Sequence, residues 1–110
     1  MEKGNTKSEK MFWIIDALII KAERIKNYND KSYDELCDFV DEIVEKTNAL
    51  HFQAGLGKIQ FIKQKLNQFR YGRVSKSTKD GVFNEELGDL KRWLSTQKSH
   101  WVEQIANEKQ

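Results

Sequence analysis

The stretch HFQAGLGKIQF, residues 51–61, decides whether the middle of this chain is one long helix or two shorter ones. Glycine often ends a helix, and each glycine inside a helix costs about 1 kcal/mol relative to alanine. A turn at 55–57 is therefore one interpretation. Against it, residues 49–63 contain no Ser, Thr, Asp, Asn or Pro that would start a second helix.

The apolar spacing on both sides of the glycines favours a continuous helix. Steps of four at His51, Gly55 and Ile59 are typical of a stutter, which unwinds a packed helix locally without breaking it. We therefore predict a long or kinked central helix over about 33–71. Its apolar face reads Leu36, Val40, Ile43, Thr47 and Leu50 before the glycines, then Ile59, Ile62, Leu66 and Phe69 after them.

Two further helical segments flank this one. Apolar residues at helical spacing predict helices over about 7–27 and 82–108, and no alternation of apolar and polar residues predicts a strand. With 110 residues, the chain has room for one domain. The expected fold class is all-α: a helical bundle that forms a single domain over 1–110, with 1–6 as a mobile N-terminal tail.

Candidate caps mark where these helices begin. Ser, Thr, Asp and Asn side chains accept hydrogen bonds from the free amides of a first helical turn. Ser32 and Glu35 have the spacing of a capping box for the central helix. The other candidates are Thr6 or Ser8 for the first helix and Asp80 or Asn84 for the last one.

The expected number of chains follows from the apolar surface that this layout leaves uncovered. A central helix over 33–71 spans about 58 Å, so the two flanking helices would lie end to end along it. Each half of the central helix then has one partner, which does not cover a segment as broadly apolar as residues 11–25. A second copy would cover it, and we expect a homodimer. The alternative is a monomeric four-helix up-down bundle with a turn at 55–57.

Composition bounds the class of protein. Nineteen Lys and Arg against seventeen Asp and Glu leave a net charge of +2, which by itself indicates neither nucleic acid nor an acidic membrane as a partner. Cys37 is the single cysteine and has no internal disulfide partner. The apolar run at 11–20 is about half the roughly 20 residues that a bilayer span requires. We expect a cytoplasmic protein without a membrane segment.

No pattern in the sequence indicates catalysis. A phosphate-binding loop of the Walker type needs Ser or Thr after its lysine, whereas Lys58 is followed by Ile59. His51, His100 and Cys37 do not make up a usual four-ligand zinc site without carboxylates. We therefore predict no enzymatic activity, no cofactor and no metal.

Two charged segments are the candidate binding sites. Four carboxylates lie along one line of the central helix and form an acidic row, which suits either water or a basic partner. The segment 58–79 carries Lys and Arg without an acid among them, interleaved with aromatic residues, as nucleic-acid binding requires. The acidic row is Asp34, Asp38, Asp41 and Glu45, and the basic candidates are Arg70, Arg73, Lys76 and Lys79, with Phe61 as an exposed aromatic.

These patterns predict a small non-enzymatic helical protein that binds another macromolecule. Another protein is the expected partner, which would make the chain an adaptor, an inhibitor or a regulatory subunit. The alternative is a nucleic-acid-binding accessory protein that uses the basic segment 58–79.

Overall fold

The computed structural model of the chain describes residues 6–49, 56–71 and 73–108, and these residues form four helices and no strand. The all-α prediction is confirmed. The helices are α1 (Lys7–Arg24), α2 (Asp30–Ala49), α3 (Leu56–Arg70) and α4 (Lys76–Glu108).

The longest helix is α4 at the end of the chain. Its 33 residues span about 50 Å, and the molecule measures 53 × 22 × 17 Å, so α4 sets the long dimension. α3 packs antiparallel against the first half of α4 and α1 packs antiparallel against the second half. At the far end of the second pair, the Ser8 hydroxyl donates to Glu108 Oε1 at 2.6 Å. α2 packs antiparallel against α3 and completes the bundle.

The predicted continuous helix over 33–71 is wrong. In such a helix Tyr33 and Leu66 would lie about 50 Å apart, but the Tyr33 hydroxyl donates to the Leu66 carbonyl at 2.5 Å. The chain therefore reverses between the end of α2 at Ala49 and the start of α3 at Leu56. The four-helix alternative is the arrangement found, although its turn is not at 55–57, because Leu56 and Gly57 already belong to α3. Residues 50–55 lie outside the described part of the chain.

The reason for the hairpin is coverage of the apolar face. Wherever side chains are described, the predicted apolar series on α2 and α3 is buried, except that Phe69 at its end is partly buried against the core. The two series meet each other and α4. A straight helix would have presented each half of that face to one neighbour at most. The largest fully buried side chains come from all four helices: Met11, Ile15, Leu18, Tyr33, Leu36, Ile43, Ile59, Ile62, Leu66, Phe83, Leu90 and Leu94.

Packing within the chain also covers most of α1. Its inner side chains are buried, and Phe12, Ile14 and Ile19 are partly buried against the core. Trp13 and Ile20 keep 40% and 50% of their surface exposed. The apolar surface of residues 11–25 is therefore covered mostly within the chain. The sequence argument for a homodimer assumed that a second copy was needed to cover it.

The N-terminal cap of α1 is as predicted, and that of α2 is shifted. The Thr6 hydroxyl accepts a hydrogen bond from the Glu9 amide at 3.1 Å, so Thr6 belongs to the helix start, whereas the rest of the predicted tail, residues 1–5, lies outside the described part. Ser32 does form a reciprocal box, but with Asn29: each side chain accepts from the other's amide at 2.8 Å. α2 therefore begins at Asp30.

The boundaries at the other ends also differ from those predicted. α1 ends at Arg24 and not at Asn27, because Ile25 is extended. α4 begins at Lys76, six residues before the predicted start at 82, because the Ser75 hydroxyl accepts from the Thr78 amide at 3.2 Å. The candidate caps Asp80 and Asn84 consequently lie inside α4. Tertiary packing of α4 outweighs the low helix propensity of its first turns.

Candidate interaction surfaces

The acidic row of α2 and the basic side chains of α3 face each other across one seam. Arg70 Nε donates to Asp34 Oδ1 at 3.1 Å, and Arg70 Nη2 lies 3.8 Å from Asp38 Oδ1. Lys63 Nζ lies 3.1 Å from Asp41 Oδ1. The antiparallel hairpin creates these pairs from residues far apart in sequence. The carboxylates stay half exposed or more, so each pair contributes less than about 1 kcal/mol to stability.

This seam changes the interpretation of both predicted sites. The acidic row and part of the basic segment neutralise each other within the chain and no longer stand as two independent surfaces. Glu45 is exposed and forms no ion pair with any described residue. The uncompensated charge along the row is therefore smaller than the sequence indicated.

The four basic candidates at the α3–α4 connection divide into two pairs. Lys79 Nζ lies 3.4 Å from the Arg70 carbonyl at the C-terminus of α3 and 5.3 Å from the centre of the Tyr33 ring. Lys79 and Arg70 are thus held against the protein, where a cation also favours the helix dipole. Arg73 and Lys76 are exposed and form no ion pair within the described residues.

A cluster of carboxylates on α4 escaped the sequence analysis. Glu85, Glu86 and Asp89 bring oxygens within 4.8 Å of one another, and the Glu86 side chain is almost fully buried. Lys65 Nζ lies 3.1 Å from Glu86 and 3.3 Å from Glu85, while Lys58 Nζ lies 3.6 Å from Asp89. Hydrogen bonds, first with Glu86 and then with Glu85, raise the pKa of Lys65.

The Lys65 ammonium binds two of these three carboxylates, and the Lys58 ammonium lies near the third. We interpret this cluster as an electrostatic clamp between α3 and α4. The spacing of Glu85 and Asp89, one helical turn apart on the same side of α4, is the sequence signal that could have revealed it.

Cys37 is buried in the core, and burial raises its pKa to about 11. Its thiol therefore stays protonated at neutral pH, where a protonated thiol is a poor nucleophile.

The solvent side of α1 carries an apolar face formed by Trp13, Ala17 and Ile20. These residues are exposed and recur at helical spacing. They lie opposite the buried side of the helix, which includes Ile15 and Leu18. The sequence already indicated this face, because its apolar residues between 11 and 25 lie on more than one side of the helix.

A basic rim borders the α1 apolar face on the side of α2. Lys21 Nζ lies 2.7 Å from Glu42 and Lys46 Nζ lies 3.0 Å from it, so one carboxylate serves two ammonium groups. The hydrogen bond from Lys21 is the main reason why the pKa of Glu42 is lowered. Arg24 adds a third cation to the same groove of about 270 Å³. The groove is small for a drug-sized ligand and suits a protruding side chain.

Six exposed residues along one side of α3 and directly after it are uncharged. They are glutamines, aromatics and one glycine, and we call them the α3 glutamine face: Gly57, Gln60, Phe61, Gln64, Gln68 and Tyr71. Lys58 is exposed beside this face and lies 3.6 Å from Asp89. Phe61 is 57% exposed and Tyr71 is 81% exposed. The predicted exposure of Phe61 away from the apolar stripe is confirmed.

Comparison with known proteins adds no family to this description. No family model, no curated protein and no solved structure matches the chain. Among the described residues, no helix combines the length and the apolar character needed to cross a membrane.

Proposed function

We propose that this protein is a non-enzymatic helical interaction protein that binds another protein through the α1 apolar face and its basic rim. The observation that carries the proposal is the exposure of Trp13 and Ile20 along one side of a helix whose opposite side is fully buried. A helix needs one apolar side to fold into a bundle. A second side of aromatic and aliphatic residues is typical of a binding surface.

The charges around this face support a partner of acidic character. Lys21 and Lys46 share the carboxylate of Glu42, and Arg24 lines the same groove, so the groove keeps a positive excess. Complementary charge steers association and disfavours partners of the same sign. An amphipathic helix with acidic flanks fits both the apolar stripe and this rim. Such binding would make the protein an adaptor, an inhibitor or a regulatory subunit.

The test begins with a photo-crosslinking residue placed at Ala17 in cells that naturally make the protein. The captured protein is then purified and its binding is measured directly. Ile20→Asp is expected to weaken binding at least tenfold, because it places a charge in the apolar centre of the contact. Val102→Asp on α4 is the matched control, since Val102 is 49% exposed against 50% for Ile20.

The result that would refute the proposal is equal binding by the two aspartate variants. Binding that weakens with Ile20→Asp alone, and that weakens further with Arg24→Glu at low salt, supports both the apolar face and its basic rim. Circular dichroism of each variant confirms that the fold is intact.

Nucleic-acid binding is the second candidate, and the exposure of Arg73 and Lys76 favours it. Two cations that form no ion pair among the described residues are few for a phosphate-binding surface, and this is why we place it second. Contact with two phosphates predicts a slope of about −2 for the logarithm of affinity against the logarithm of salt concentration. Fluorescence anisotropy with mixed DNA and RNA oligonucleotides measures it, and absence of binding at low salt eliminates this candidate.

A further inference from the structure

We propose that a second copy of the chain docks on the α3 glutamine face, with the two α3 helices antiparallel and a two-fold axis at Gln64. The first observation is the composition of the face. One third of the residues of this protein are charged, yet the six exposed positions of this face carry no charge, and the exposed Lys58 beside it is paired with Asp89. Loss of charge with retention of aromatic residues distinguishes the centre of an interface from the rest of a surface.

The second observation is that the charges on both sides of this face are already paired. On the side of α2, Lys63 and Arg70 are bound to the acidic row. On the side of α4, Lys58 and Lys65 are bound to the carboxylate cluster. In an antiparallel arrangement each side meets the same side of the other copy, so unpaired cations would repel. The internal ion pairs remove most of that repulsion.

The α1 apolar face differs in this respect. Its basic rim would meet the same basic rim in a symmetric pair, so α1 suits an acidic partner and α3 suits a second copy. The two proposals use different surfaces, and the failure of one leaves the other standing.

The third observation is that the α3 glutamine face is complementary to itself. When Gln64 of one copy opposes Gln64 of the other, Gln60 opposes Gln68 and Gly57 opposes Tyr71, because the positions in each pair add to the same sum. Tyr71 is 81% exposed, and no atom lies within 4 Å of the place that a Cβ of Gly57 would take. The largest projecting ring thus meets open space over the residue without a side chain.

The glutamines suit such a contact chemically. Each amide offers two donors and one acceptor oxygen, so opposed glutamines can satisfy each other without any charge. A contact between two helices of this length is smaller than a standard interface, so the dimer is expected to be reversible and to form at micromolar concentrations.

The test places charge on the proposed two-fold axis. Gln64→Glu and Gln64→Lys each put two like charges opposite each other, so each variant alone is expected to give a mass near 13.0 kDa by light scattering where the wild type gives about twice that mass. An equal mixture of the two variants is expected to recover the dimer. Both replacements are good helix formers at an exposed position, so the fold is retained.

Cysteine pairs test the antiparallel direction. Gly57→Cys mixed with Tyr71→Cys is expected to form an interchain disulfide, whereas neither variant alone does, because like positions would be about 21 Å apart. The native Cys37 is buried and does not compete. Self-crosslinking of Gly57→Cys would overturn the antiparallel arrangement. A wild type of 13.0 kDa at several hundred micromolar, or charge variants that dimerise like the wild type, would overturn the proposal itself.

Discussion

Replacing Phe83 by alanine is expected to lower the free energy of unfolding by about 4 kcal/mol. Phe83 is fully buried on the first half of α4. Its ring lies 5.8 Å from the ring of Tyr28, in the connection between α1 and α2, which in turn lies 6.4 Å from Tyr33 on α2. These three rings join two helices and a connection to each other, so the cavity left by alanine cannot be filled by a small local shift.

Urea or thermal unfolding followed by circular dichroism measures this loss. Phe61→Ala is the matched control, because it removes the same side chain from a position that is 57% exposed. We expect its free energy of unfolding to change by less than about 1 kcal/mol. Losses of similar size at the two positions would contradict the packing described for α4. Phe61→Ala is also expected to weaken self-association, so stability is compared under monomeric conditions.

Replacing Tyr33 by alanine is expected to cost about 3 to 4 kcal/mol, most of it from the lost ring. Tyr33 is buried between α2 and α3, and its hydroxyl donates to the carbonyl of Leu66. Tyr33→Phe keeps the ring and removes only that hydrogen bond, so its expected cost is about 1 kcal/mol near neutral pH. Comparing the two variants in urea unfolding separates the packing of the ring from the hydrogen bond that joins the hairpin.

The hydroxyl of Tyr33 also makes the stability of the protein depend on pH. Burial is the largest cause that raises the pKa of Tyr33 from its usual value near 10 to about 12. A raised pKa means that the folded state favours the protonated hydroxyl. This contribution is complete below pH 10 and is lost as the pH rises towards 12.

The advantage of the wild type over Tyr33→Phe should therefore shrink as the pH rises above 10 and reverse before pH 12, because each unit of the pKa shift corresponds to about 1.4 kcal/mol. Tyr28, whose pKa is also raised, is present in both proteins and cancels in the comparison. A difference in stability that does not vary with pH would show that the hydroxyl of Tyr33 is not buried as described.

Local patterns predicted much of the secondary structure. The apolar series on α2 and α3 and the cap at Thr6 lie where the sequence indicated. Boundaries were less well predicted, because Ser75 and Asn29 compete as caps with Asn84 and Ser32, and packing decides among them. The start of α4 shows this most clearly, since Gly81 lies inside a helix that propensity alone would have begun later.

The sequence identified the residues of the candidate sites, but not how these residues combine into surfaces. The acidic row and the basic segment were recognised by spacing along single helices. Such spacing does not show that the two segments pair with each other. The pair of Arg70 and Asp34 joins residues 36 positions apart. The buried Glu86 was missed for a related reason, since a carboxylate looks exposed in sequence unless its counter-ion on another helix is known.

The sequence by itself determined that this protein is all-α, which side of each central helix is apolar, and that α1 is apolar on more than one side. These are properties of spacing, which each helix carries with it wherever it packs. Only the tertiary structure decided that α2 and α3 form a hairpin and that α4 is the long helix. It also decided which charges form ion pairs within the chain and which surfaces stay exposed. The physical reason is that an apolar series is equally compatible with a straight helix and with a reversed pair, and burial against α4 selects between them.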